Sequence, residues 1–320
     1  MTELQVRQAT LDDTQAISAL FRSQIQVWQR FDAEGRVQDV EYHQLTIYER
    51  WLHGGPWMSV ETAAIQLCQL LIGAGIPLVA TLGDEVVGYA EAYHGHEPPP
   101  FGDHLHVAYL IVAPDFVGRG AEDALMGALR ERAKTLKAKT LTVSRVGDAT
   151  ATVQLQDHFD FEPLCRVQRM SLPARTGQIF YRATEHTNAD AAQIRGWGMP
   201  VGRMTSARQE WEHLWPPTWE TIPELRNQRT HRLHVSAAGQ EAFVCFRQQL
   251  YDPRSVDIYC WSPKPLTNQL VSALRDWAHR EGYRNLYWVV ADDTVKTLGP
   301  EAELSGYSVE ICAVTPREPA

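Results

Sequence analysis

Twice along this chain two β-rich runs close on a tight polar turn and lead into a further strand, an amphipathic helix and more strands. The first pair is Pro77-Leu-Val-Ala-Thr-Leu82 and Glu85-Val-Val-Gly-Tyr-Ala-Glu-Ala-Tyr93 around Gly83-Asp84; the second is His231 to Ala237 and Glu241 to Gln248 around Ala238-Gly239. Runs of this composition about a two-residue polar turn are the pattern of a β-hairpin. A hairpin returning on schedule in a chain of 320 residues fits two domains of roughly 150 residues each. The economical reading is a duplicated α/β unit, residues 1–172 and 178–320, joined at Leu172-Pro-Ala-Arg-Thr-Gly177. The alternative is two α/β domains alike by coincidence.

The elements around each hairpin follow the same order. In the first half a strand at Leu4 to Gln8 precedes Thr10, placed to cap a helix with Asp13 answering it, and Ile17, Leu20, Phe21, Ile25, Trp28 and Phe31 predict a helix of most of five turns. A second helical region, 42–72, is broken by Gly54-Gly55-Pro56. After the hairpin come a strand from His104 to Val112, a helix carrying Leu125, Leu129 and Leu136, a strand at Thr140 to Ser144, a short helix at Thr150 to His158 and a strand at Cys165 to Leu172. The second half offers a strand at Ile179 to Arg182, helical segments to about Leu225, the hairpin, a strand at Val256 to Trp261, a helix stopped by Gly282, and strands at Asn285 to Val290 and Ser308 to Val314.

Composition narrows the classes. At 44% hydrophobic and 22% charged residues a core can be buried, which excludes a mainly disordered or fibrous chain. A net charge of −9 argues against non-specific attraction to nucleic acid or anionic lipid. No run approaches the roughly 18 apolar residues of a membrane helix and the N-terminus lacks a signal-peptide pattern, so a cytoplasmic protein is expected. The five cysteines are far apart with no C-x-x-C pair, the pattern of free thiols rather than of disulfides or a zinc knuckle.

Between the strand ending at Val112 and the helix from Ala121 lies Val117-Gly118-Arg119-Gly120-Ala121-Glu122. Two glycines at a helix start present backbone N–H groups where the dipole favours an anion. The loop lacks the Gly-Lys-Ser/Thr of a P-loop and, with Asp123, the third small residue of a dinucleotide fingerprint. The order of elements over about residues 3–172, with this loop, resembles the GNAT N-acetyltransferase superfamily, whose loop reads R/Q-x-x-G-x-G/A; Gly120 matches it, while Val117 and Glu122 depart. The resemblance implies two tandem α/β (α+β layered) domains, each a mixed, mostly antiparallel sheet flanked by helices. It implies acetyl-CoA or another acyl-CoA as co-substrate, held by Leu110, Val112, Gly118, Arg119, Gly120 and Ala121. The second half looks like a degenerate unit: its loop, Ser262-Pro-Lys-Pro-Leu266, has two prolines and no glycine.

Acylation of an amine needs a base for the ammonium proton and an acid for the leaving thiolate. His104 and His106, two apart on one strand, and Glu91 on the neighbouring strand are the base candidates, with Tyr93 and Tyr109 placed to line an acceptor pocket. The family's acid is often a tyrosine in the short helix after the fifth strand, and Gln156 stands there. His94-Gly95-His96-Glu97 carries a metal pattern, but a loop end is the preferred reading and no metal is expected. The basic run Arg130, Arg132, Lys134, Lys137 and Lys139 reads as a solvated helix face, and the tryptophans of the second half as packing. The expected function is acylation of a small amine by a monomer or homodimer. Two alternatives stay open: a non-catalytic acyl-CoA-binding or regulatory protein, and a partner-binding module that has lost the cofactor.

Overall fold

The computed structural model describes residues 3–32, 34–146 and 158–315. The chain forms two compact units: residues to Tyr93 with Val107–Leu136, and His94–His106 with the chain from Lys137. These units do not follow the halves 1–172 and 178–320, for a reason visible in the strand order below.

In the first unit β1 (Leu4–Gln8) pairs antiparallel with β4 (Gly75–Leu82), which pairs antiparallel with β5 (Glu85–His96), of which the unit holds the part to Tyr93; of β6 (Asp103–Val112), next after β5 in the sheet order, it holds the part from Val107. Gly83 takes φ +64° in the β4–β5 turn, a conformation that glycine adopts without a Cβ clash. A small hairpin, β2 (Gln29–Phe31) with β3 (Val37–Asp39), lies between α1 (Thr14–Arg22) and α2 (Ile47–Trp51). The first helix is therefore shorter than its apolar spacing predicted. Ser23 Oγ donates back to the Leu20 carbonyl at 2.7 Å in the last turn, and residues 29–31 go into the hairpin instead. The break at Gly54-Gly55-Pro56 appears as expected: α2 ends before it and α3 (Val60–Ile72) begins after it. Ile17, Leu20 and Phe21 of α1 and Ala63, Leu67 and Leu70 of α3 bury against Val79, Tyr89 and Tyr93. The long helix α4 (Ala121–Leu136) lies against β1 and β4.

The second unit holds β7 (Thr140–Val146), β8 (Glu162–Pro173), β9 (Tyr181–Glu185), β10 (Gly198–Val201), β11 (Thr230–Ala237), β12 (Gln240–Gln248), β13 (Ser255–Ser262), β14 (Asn285–Ala291) and β15 (Glu303–Val314). Their order is β7-β15-β8-β14-β13-β12-β11-β9, with β10 on β13. Only β13 and β14 run parallel among these pairs. Strands of the two sequence halves are thus interleaved: β15 pairs with β7 and β8, and β8 pairs in turn with β14.

Alternation along these strands separates two cores. Val244, Phe246, Ile258, Cys260, Leu286 and Trp288 face α7 (Asn268–Arg280), which contributes Leu270, Val271 and Leu274. Phe243, Cys245, Tyr259 and Trp261 point the other way, onto Trp211 of α5 (Ala207–Leu214) and Trp215, which caps its C-terminus. Trp211 and Trp215 stack with ring centroids 4.0 Å apart, and both meet Trp261 edge-on, so these tryptophans pack the core as the sequence suggested. Two short helices, α6 (Pro223–Arg226) and α8 (Val295–Leu298), complete the unit.

Candidate active site

The glycine loop of the first unit is an open turn. Gly118 has φ +71° and Gly120 φ +90°, and a Cβ on either would meet nothing within 4 Å. The bends are those glycine adopts freely, and the space above each glycine Cα is open. The Arg119 N–H bonds the Phe116 carbonyl at 3.1 Å. The Ala121 and Glu122 amides open the 16-residue α4 and, by helix geometry, have no acceptor within it. The Gly118 N–H donates to Glu122 Oε1 at 3.2 Å. A carboxylate thus already rests on the loop, an anion on the groups the sequence offered to one. Of the two strand residues named with the loop, Val112 is buried and Leu110 half-buried, and the Val112 carbonyl accepts from Gln24 at 3.4 Å.

Glu91 lies in the same unit, fully buried on β5. Tyr89 and Tyr93, two residues before and after it, share its face of the strand. The Tyr93 hydroxyl donates to Oε1 at 2.8 Å and the Tyr89 hydroxyl to Oε2 at 3.0 Å. Phe21 and Trp57 stack at 5.2 Å, and each meets the Tyr89 ring. Burial among these rings raises the Glu91 pKa to about 7, against the opposing pull of the two hydroxyls. A carboxyl that exchanges its proton near neutrality has the property a general base needs.

His104 and His106 belong to the second unit and are buried. His106 places Nδ1 3.0 Å from Thr142 Oγ1, and burial drives its pKa down to about 3, which keeps the ring neutral and makes it a weak base. His104 places Nδ1 3.1 Å from the Gly102 carbonyl and Nε2 3.5 Å from Glu97 Oε1; burial lowers its pKa as well.

Glu97 is the residue of this region whose importance the sequence did not reveal. It is buried, paired through both carboxylate oxygens with the buried Arg203, and accepts the Ala207 N–H at the head of α5 at 3.1 Å. Arg203 stacks over Phe101 at 4.0 Å from the ring centroid. A buried pair so fully bonded holds its surroundings in register, since removing one partner leaves a charge uncompensated.

The second half's counterpart of the glycine loop has its polar groups spent. The Lys264 N–H bonds Ser262 Oγ at 3.3 Å, and the Gln240 amide donates to the Pro265 carbonyl at 2.9 Å. Parallel pairing of β13 with β14 stops at Ile258 and Trp288. Beyond that point β10 takes the edge of β13, Gly198 opposite Ser262 and Val201 opposite Cys260, and the Gly202 N–H bonds the Val289 carbonyl at 2.7 Å. Where the two parallel strands part, β10 takes part of the gap, and a cavity of about 470 Å³ lies beside it, lined by Met199, Pro263, Pro265, Val289 and Ala291.

The short helix expected at 150–158, with Gln156, lies almost wholly outside the described residues. Of the basic run, Lys134 pairs with Glu131 at 2.8 Å on an exposed stretch of α4.

Residues 38–155 match the family model described as the acetyltransferase (GNAT) family. A search of curated proteins finds no match. Similar solved structures include a GCN5-related N-acetyltransferase from Anabaena variabilis, at 12% identity over 98% of this chain and 73% of that one, with a TM-score of 0.59. Another from Kribbella flavida is 15% identical over 97% and 70% of the two chains, TM-score 0.55. A probable N-acyltransferase from Enterococcus faecalis is 12% identical over 98% and 73%, TM-score 0.56. At these identities the likeness to solved structures is one of fold.

Proposed function

Since the chain carries a GNAT acetyltransferase domain, matched over residues 38–155, we propose that it transfers an acyl group from acetyl-CoA or another acyl-CoA to a small amine. The observation that carries this reading is the junction at Gly118–Ala121. An open loop with two positive-φ glycines heads a long helix, inside the matched segment, and already holds a carboxylate on the Gly118 N–H. Gly118, Arg119, Gly120 and Ala121 would form the cradle for the pyrophosphate, with the Gly118 amide exchanging Glu122 for it and the Arg119 amide staying on the Phe116 carbonyl, and Leu110 and Val112 on the adjoining strand beside the rest of the cofactor. When bound, the acyl-CoA would supply the thioester carbonyl that an amine attacks, the C–S bond breaking as the amide forms and CoA leaving as a thiolate that takes a proton from water.

The chain's own residues handle the proton. Glu91 takes it from the ammonium, with the Tyr93 hydroxyl at 2.8 Å as a relay into its buried position. The two tyrosine hydroxyls hold the carboxylate in one orientation, so its pKa near 7 follows from a fixed environment. His104 and His106 stay neutral at working pH and keep a supporting place. The duplicated halves, 1–172 and 178–320, remain the proposed origin of the chain, with acyl-CoA confined to the first. Glu122 on the Gly118 N–H favours one other reading, in which acyl-CoA binds without transfer. Turnover separates the two. With a panel of small amines and acetyl-CoA, kcat/KM should rise with pH and level off above about 7, and Glu91→Gln should lower it by about 10²–10⁴-fold and remove the inflection. An unchanged rate in that variant would exclude Glu91 as the base.

A further inference from the structure

The histidines His94 and His96, singled out in the sequence as half of a metal pattern, line a cavity that the proposed transfer does not use. The cavity measures about 300 Å³. Its walls are the end of β5, Asp103 at the start of β6, residues 191–195 and the first turn of α5, all within the second unit. The Gly196 N–H donates to the His96 carbonyl at 2.9 Å, so two of these walls are joined through the backbone. A metal does not suit it: among the described residues no three His, Cys, Asp or Glu side chains are grouped to hold one ion.

The formal charges at the cavity balance, Asp103 and Glu97 against Arg195 and Arg208, but their hydrogen-bond donors are not all used. Asp103 bonds His96 Nδ1, Glu97 is committed to Arg203, and Arg208 Nε bonds Glu212 Oε1 at 2.5 Å. The guanidinium of Arg195, the rest of that of Arg208 and the His94 imidazole are left, and His94 Nε2 is buried with no hydrogen-bond partner among the described residues. We propose that this cavity binds a compact oxyanion, the carboxylate or phosphate end of a small ligand, between Arg195, Arg208 and His94. Guanidinium groups match both oxyanions with paired N–H donors, and His94 Nε2 gains the partner it lacks. Burial first, then His96, Arg195 and Arg208, hold His94 toward its neutral form against the pull of Asp103. An anion among them reverses that balance, so its binding draws a proton onto His94.

The test uses the full chain and NMR of the His94 Cε1–H, assigned by its loss in His94→Gln, while inorganic phosphate or acetate replaces chloride at constant ionic strength. The expected result is a saturating shift with at least one of the two, towards the imidazolium position, with a Kd weakened about tenfold or more in Arg195→Gln. Phosphate alone would identify a phosphoryl ligand and acetate alone a carboxylate. Arg195 is exposed, so its substitution spares the fold, and an unchanged melting temperature checks this. The proposal is overturned if neither anion saturates, if Arg195→Gln binds as the parent does, or if zinc alone moves the resonance.

Discussion

Burial acts on Glu91 and His106 in opposite chemical directions, because loss of water penalises whichever form is charged. It raises the Glu91 pKa to about 7 and lowers that of His106 to about 3. One result is a carboxyl that exchanges its proton near neutrality; the other is a ring that stays neutral and donates or accepts a bond to Thr142. For His106 the stability consequence has a definite sign. A histidine whose folded pKa is depressed favours the fold above its ordinary value of 6.5 and loses that contribution as pH falls toward 3. His106→Asn, which keeps a polar atom for Thr142, should therefore lose less stability than the parent between pH 6.5 and 4, by urea unfolding at each pH. Identical slopes would contradict the buried, neutral ring. The sequence put the two histidines ahead of Glu91 as base candidates, since spacing on a strand does not tell how much water each side chain keeps. Glu97 was less legible still, because its partner Arg203 lies 106 residues away and no local pattern links them.

Among the elements, the two loops after matching strands show how backbone chemistry decides what a junction can hold. Gly118 and Gly120 bend with open space above them and hold an exchangeable carboxylate on the Gly118 amide, whereas the loop Ser262–Leu266 spends its polar groups on Ser262 and Gln240. The strand β10 then takes part of the gap beside that second loop, and Gly202 makes it fit. Its φ is +88°, and a Cβ there would stand 2.6 Å from the Tyr259 ring and 2.8 Å from the Ile258 carbonyl. Gly202→Ala should cost about 2–4 kcal/mol through backbone strain and overpacking, measured by denaturant midpoint; a loss below about 0.5 kcal/mol, the range of neutral surface changes, would contradict the seating of β10. The hairpins and the two long helices were legible because their periods of two and 3.6 residues run uninterrupted. β10 was not, since Gly-Met-Pro-Val is too short to show a period and contains a proline. The first helix was overread past Arg22, where apolar Trp28 packs instead against Tyr42 and His53.

For the molecule as a whole, the exchange of final strands governs which pieces can stand alone. β8, the last strand of the first sequence half, has β14 on one side and β15 on the other, both from the second half, while β15 also covers β7. Local patterning predicts each of these strands but not its partner, so the strands were legible and their interleaving was not. A fragment of residues 1–172 leaves β8 with neither neighbour and should aggregate or remain partly unfolded, seen by light scattering and hydrogen exchange; a stable monomer with protected β7 and β8 amides would contradict the strand order. Calorimetric titration of the full chain with acetyl-CoA decides whether the loop Gly118–Ala121 holds an acyl-CoA. Saturable binding near micromolar, about −8 kcal/mol, that Gly120→Glu abolishes is the predicted result. The absence of heat at millimolar ligand, or binding unaffected by Gly120→Glu, would contradict it.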